Sequence, residues 1–137
     1  MTGWSIDSWR GFWAKPDPET ALRRIPTITA PEVQAVWPRS RHPVCGPKAY
    51  AGRVVDLLSL VPDMRLELQE HAASGDLHFI RWQARGTGPD GAFEGIGCDR
   101  IALRGGLVVS NLVMSDMAIF DRLEAMQDRR QSKPQLE

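Results

Sequence analysis

Few of the residues that build metal centres or covalent frameworks are present in this 137-residue chain. It has only two cysteines, Cys45 and Cys98, in no metal-type spacing and too few for a disulfide framework, so both are read as reduced thiols. The three histidines, His42, His71 and His78, form no H-x-x-x-H or related cluster, and no metal site is expected. Net charge is absent as well: 17 basic residues balance 17 acidic ones, and the arginines are scattered rather than arrayed in a stripe. A chain without a net field or a basic face is a poor partner for nucleic acid or an anionic membrane surface. No apolar run approaches the roughly 20 residues that span a bilayer, and the start, MTGWSIDSWRGFW, has neither the basic region nor the apolar stretch of a secretory signal. A cytoplasmic location is the resulting expectation.

What is present fits one ordinary domain with a core. Ser5 can cap a helix in which Ile6, Trp9, Phe12 and Trp13 recur at helical spacing before Pro16. Asp17 and Pro18 open a second helix, DPETALRRI, which Pro26 is expected to end. The proline-rich stretch PTITAPEVQAVWPRSRHPVCG suits an extended or irregular path. Pro47 then starts the principal helix, with Tyr50, Val54, Leu57, Leu58 and Val61 on one face and Pro62 as its stop.

Beyond Asp63 the apolar period falls from about 3.6 to 2. MRLELQEHA, LHFIRWQARG, AFEGIGCDRIALR and LVVSNLVMS read as four strands joined at ASGD, GTGPDG and GG, which is an antiparallel meander. MAIFDRLEAM adds a closing helix, and residues 128–137 read as a loose tail in which Leu136 and Glu137 look like a non-native appendage. Helices followed by a run of strands make an α+β domain, residues 1–127, with helices covering one face of the sheet.

One charge breaks the pattern. Asp99 falls on the same side of its strand as Ile101 and Leu103, with Gly95 and Gly97 before it, while Arg100 and Arg104 take the other side. The acid is either a functional group in an apolar cavity or a strand-end carboxylate bridged to Arg81 or Arg100 or facing solvent. A three-residue turn at Arg104–Gly106 would set Asn111 opposite Asp99, and a two-residue Gly-Gly turn would set Leu112 there; the first is favoured. Trp9, Trp13, Trp37 and Trp82 form either a substrate-stacking wall or ordinary core, and Tyr50, the only tyrosine, could reach a cavity with its hydroxyl.

The strings FWAKPD, WPRSRHPVCGPKAY, IRWQARGTGPDGAFEG and GCDRIALRGGLVVSNLVMSD, in this order over residues 5–123, resemble the nuclear transport factor 2-like superfamily, in particular its SnoaL-like polyketide cyclase and ketosteroid isomerase branches. The resemblance implies a cone-shaped, curved antiparallel sheet wrapped over N-terminal helices, an internal hydrophobic pocket, and a homodimer. It also implies a carboxylic acid at Asp99 that acts on an oxyanion or a proton. The match is incomplete. Trp37 stands where the isomerases carry their proton-abstracting Asp, Trp9 stands at their first-helix tyrosine, and Arg81-Trp82-Gln83 with Val113 replaces the Arg-x-Asp pair and last-strand Asp of the epoxide hydrolases. The SNLVMSD ending resembles the N-x-x-x-x-D of many SnoaL-like chains.

The leading expectation is therefore an enzyme without cofactor that performs acid–base chemistry on a hydrophobic, oxygenated small molecule: cyclisation, isomerisation, dehydration or hydrolytic ring opening. Asp99 and Arg81 are the candidate catalytic residues; Trp9, Trp13, Trp37, Tyr50, Gln83 and Asn111 are the candidate substrate contacts. The alternatives are a non-catalytic binding protein of the same fold and a dimerising module with a filled pocket.

Overall fold

The computed structural model describes residues 3–132. Helix α1 (Ile6–Ala14) begins at a reciprocal cap in which the Ser5 and Ser8 side chains each accept from the other's backbone N–H. Helix α2 (Pro18–Ile28) is capped by Asp17, whose carboxylate accepts the Thr20 N–H at 3.0 Å. It continues through Pro26 rather than stopping there. Pro26 and Leu22 both lie on the exposed side, where water can take the Leu22 carbonyl that proline leaves without a donor. The Thr27 and Thr29 hydroxyls donate to the Arg24 and Ile25 carbonyls and close the last turn.

The proline-rich stretch resolves into β1 (Thr29–Val36) and the short β2 (Val44–Cys45). Helix α3 (Pro47–Leu60) is followed by β3 (Arg65–Ser74), β4 (Leu77–Gly88), β5 (Gly91–Arg104), β6 (Leu107–Ser115) and α4 (Ile119–Ser132). Helix α4 outruns its expected end at Met126, so the start of the expected loose tail is helical; residues 133–137, including Leu136 and Glu137, lie outside the described residues.

All six strands join one curved, unclosed sheet in the order β2-β1-β6-β5-β4-β3. Four pairings are antiparallel, as the meander requires, and the fifth, β1 with β6, is parallel. Pro31 sits in the irregular part of β1 between the Thr29 and Gln34 pairings, where a missing N–H is tolerated. Among the described residues no helix is long and apolar enough to cross a membrane.

Strand alternation gives the sheet two unlike faces. Val33, Ala35, Trp37, Ile80, Trp82, Ala84, Asp99, Ile101 and Val113 are buried on the inner face, beneath the helices. The outer face carries Phe79, Arg81, Gln83, Ile96, Cys98, Arg100, Leu112 and Met114, with Val36 at its β1 side.

Candidate functional site

The register across β4, β5 and β6 places the acid. Asp99 is directly opposite Ile80 on β4 and Val113 on β6, on the inner face, and is only 7% exposed. Its environment follows from a missing side chain next door. Trp82 pairs with Gly97, and a Cβ at Gly97 would stand 2.3 Å from two atoms of the Trp82 ring. Only glycine lets the indole lie across β5 in this way, which brings Trp82 Nε1–H to Asp99 Oδ1 at 3.1 Å. Gly95 serves similarly beneath Met117, whose Sδ lies 2.4 Å from the position a Cβ would occupy.

Three more side chains complete the polar centre. The Trp9 indole of α1 and the Asn111 amide of β6 also hydrogen-bond to Asp99. The Tyr50 hydroxyl, from the first turn of α3, donates to Asn111 Oδ1, and Asn111 Nδ2 also reaches the Arg100 carbonyl at 3.5 Å. Because the Asn111 oxygen is occupied by the phenol, its NH₂ group is the part left to face the carboxylate. The chain thus runs from the Tyr50 hydroxyl through the Asn111 amide to the acid, with the Arg100 carbonyl as a second acceptor for the amide NH₂.

Burial and these donors oppose each other. Desolvation, the larger effect, pushes the Asp99 carboxyl up to about 6, while the hydrogen bonds from Trp82, Trp9 and Asn111 restrain the rise. Burial, reinforced by the Asp99 charge, pushes the Tyr50 phenol above its ordinary value, so it remains a donor at neutral pH. Cys98, on the outer face, is raised by partial burial and by the same charge.

Around this centre is a cavity of about 90 Å³, walled by Trp4, Trp9, Phe12, Trp13, Trp37 and Trp82 together with aliphatic side chains of α2, α3 and the sheet and with Met64 and Met117 from the segments before β3 and after β6. It has room for about half a dozen water-sized groups, which is less than the roughly 300–1,000 Å³ of most small-molecule pockets. A ligand held wholly inside is therefore compact, and a longer one must extend past the rim, where the exposed Arg24 of α2 lies. Trp37 is 5% exposed, and its Nε1–H is buried without a partner.

Of the sequence-derived candidates, Asp99, Trp9, Trp13, Trp37, Tyr50 and Asn111 meet at this cavity. Arg81 and Gln83 do not. Both are on the outer face of β4; Arg81 is exposed and pairs there with Glu70 at 3.7 Å, so it cannot act on Asp99. The alternation of β4 carries that information, since Arg81 and Gln83 flank Trp82 and cannot share its face with Ile80 and Ala84. The favoured turn also differs. Gly105 and Gly106 form a two-residue loop with φ of +60° and +83° between paired Arg104 and Leu107, and a bulge after it sets Val113, not Asn111 or Leu112, opposite Asp99. Trp82 was legible only as an aromatic wall; its role as the acid's donor depends on Gly97. His71 and His78 stack on each other with Nε2 and Nδ1 2.9 Å apart, outside the cavity lining. Among the described residues no group of three or more His, Cys, Asp or Glu side chains could hold a metal ion.

Residues 8–111 match the SnoaL-like domain family. The chain belongs to that family. This SnoaL-like chain also resembles solved structures at identities that speak for fold alone. IdmH of Streptomyces antibioticus, a candidate polyketide cyclase, is 24% identical with a TM-score of 0.65, over 88% of this chain and 95% of that one. A ketosteroid isomerase-like protein of Catenulispora acidiphila, in complex with trimethylamine, has a TM-score of 0.72 at 13% identity, covering 88% and 91% of the two chains. TerC, co-crystallised with polyporic acid, has a TM-score of 0.68 at 17% identity, covering 88% and 95%. No curated protein is significantly similar in sequence.

Proposed function

We propose that this SnoaL-like protein is a small-molecule enzyme in which Asp99 is the general base, withdrawing a proton from a hydrophobic, oxygenated substrate during isomerisation or cyclisation. The observation that carries this reading is one carboxylate on the inner face, buried beside an apolar cavity and held by donors that favour its charged form. With its pKa near 6 the group is about nine-tenths ionised at pH 7. It is also basic enough to accept a proton, which is the compromise general base catalysis needs. Dehydration stays within reach of the same group. Hydrolytic ring opening loses support, because Arg81 and Gln83 lie across the sheet from the acid.

The test is an unbiased small-molecule screen by native mass spectrometry on wild type and Asp99→Ala, with each captured compound then incubated with wild type in D₂O. Deuterium uptake or a rearranged product that requires Asp99 supports the enzyme. Saturable binding with unaltered, undeuterated ligand overturns it in favour of a binding protein. The Trp37 and Val113 replacements favour that second reading, whereas the free volume of about 90 Å³, below the roughly 300 Å³ of a small-molecule pocket, favours the dimerising module with a filled pocket.

The partner for the outer face is a second copy of the chain. Four of the five exposed large apolar side chains among the described residues, Val36, Phe79, Ile96 and Met114, lie on this face, beside Arg81. A sheet face of this kind is covered in a homodimer. A monomeric mass in light scattering at micromolar concentration would contradict it.

A further inference from the structure

Helix α3 has two working faces. Tyr50, Val54 and Leu57 line the inner cavity, while Ala49, Gly52, Arg53 and Asp56 line a separate cleft of about 330 Å³ between α3, α4 and the segment that leads into β2. That volume falls within the range of small-molecule pockets. Small residues keep the α3 wall open, since a Cβ at Gly52 would meet nothing within 4 Å. The facing walls are fastened to each other: Arg39 and Arg41, ahead of β2, reach Asp121 and Asp128 of α4 at 2.8 and 3.6 Å.

Two opposite charges in this cleft have no partner. Arg53 is only 8% exposed, yet its guanidinium makes no hydrogen bond or ion pair among the described residues. Burial, the larger influence, pulls its pKa below the ordinary value, while Glu124 and Asp56 act against that only at longer range. A buried charge is costly to leave in that state. Asp56 is already held by the Gln127 amide. Glu124, on α4 between the two aspartates that the arginines hold, makes no hydrogen bond or ion pair among the described residues.

We propose that this cleft binds a compact aliphatic α-amino acid, whose carboxylate pairs with Arg53 and whose ammonium pairs with Glu124. A guanidinium offers a carboxylate two parallel N–H donors. A simple anion would also face Glu124 and Asp56, and a simple cation would face Arg53; a zwitterion suits both ends. The start of α3 supports the carboxylate end. Its cap residue, Gly46, has no side chain to accept from the first-turn amides, and Ala49 of that turn lines the cleft one turn before Arg53. Pro43 and Val44 give the aliphatic side chain an apolar wall. The site lies across α3 from the inner cavity and stands whatever the role of Asp99.

The experiment titrates the intact protein with three probes: L-leucine, N-acetyl-L-leucine, which lacks the ammonium, and L-leucinamide, which lacks the carboxylate. Calorimetry gives the affinities, and ¹⁵N–¹H NMR of the Gly52 amide locates the site in wild type, which needs no variant to fold. L-leucine is expected to shift the Gly52 resonance and to bind about tenfold more tightly than either analogue. Glu124→Gln should erase its advantage over N-acetyl-L-leucine and keep that over L-leucinamide; Arg53→Gln should do the reverse. Gly52→Leu puts a better helix former into the open space, leaves both charges, and should abolish binding. Absence of L-leucine binding to wild type, an unmoved Gly52 resonance, or binding that survives Gly52→Leu overturns the site. An analogue that binds as tightly as L-leucine overturns the zwitterion: N-acetyl-L-leucine would make the cleft an anion site, and L-leucinamide a cation site.

Discussion

Replacing Asp99 with asparagine is expected to change the pH dependence of stability in a way that isolates the burial of this one carboxyl. In the unfolded chain it titrates near 3.8, and in the folded protein near 6. Below the lower value both states hold the proton and the acid carries no penalty. Between the two values the unfolded chain has released its proton while the folded chain retains it, so stability falls as pH rises; above about 6 the loss is complete. Two pK units correspond to about 3 kcal/mol, or about 10 °C in Tm for a chain of this length. Exposed Asp17, Asp63 and Asp90 have lowered values and favour the opposite trend at acid pH. They are common to both proteins and cancel in the difference. The assay is urea unfolding of wild type and Asp99→Asn at intervals from pH 3.5 to 8. The stability of wild type relative to the variant should decline by about 2.5 kcal/mol between pH 4 and 7 and then level. A difference that is flat across that interval would show a well-solvated carboxyl and would refute the electrostatics on which the base depends.

On a substrate found by the screen, Asp99→Asn should lower kcat by about 10²–10⁴-fold, and wild-type kcat/KM should rise with pH to a plateau above about 6, the carboxyl's value; a rate that falls through that region would make Asp99 an acid. Gly97→Ala forces a Cβ into the Trp82 ring and should destabilise by about 1–3 kcal/mol in urea unfolding. Trp82→Phe removes a donor from the charged carboxylate, so the Asp99 titration followed by ¹³C NMR should move upward. Arg81→Ala should leave the rate within about twofold, since the side chain is across the sheet from the cavity. Ile96→Glu should yield a monomer in light scattering with binding to the cavity retained.

What the sequence discloses here tracks how local the determining physics is. The strands from β3 to β6 follow from a two-residue period punctuated by turn residues, and α1 and α3 from caps, prolines and one-sided apolar spacing. The parallel pairing of β1 with β6 joins segments about 75 residues apart and leaves no local mark. The passage of α2 through Pro26 depends on that residue meeting water, which is a property of the assembled fold. The inward side of Asp99 was legible from alternation alone. The same rule, applied to β4, would have removed Arg81 and Gln83 from the site.

The register beside Asp99 has the least local origin of all. A two-residue turn with unbroken pairing would oppose Asp99 to Leu112 and place Ser110 and Leu112 on the inner face. Between Ala102 and Leu103 the ladder instead slips by one, with Val109 as the extra residue between the Leu103–Val108 and Ala102–Ser110 pairs. Every residue of β6 beyond the bulge changes face. Asn111 and Val113 turn inward, Asn111 opposite Ile101 and so diagonal to Asp99, within reach of both the carboxylate and the Tyr50 hydroxyl. Ser110 and Leu112 turn outward, and Leu112 joins the apolar face that holds Phe79 and Met114. One inserted residue therefore sets both the polar network of the cavity and the composition of the opposite face. A period-two pattern cannot show it, because the sequence on either side of a bulge alternates equally well in both registers.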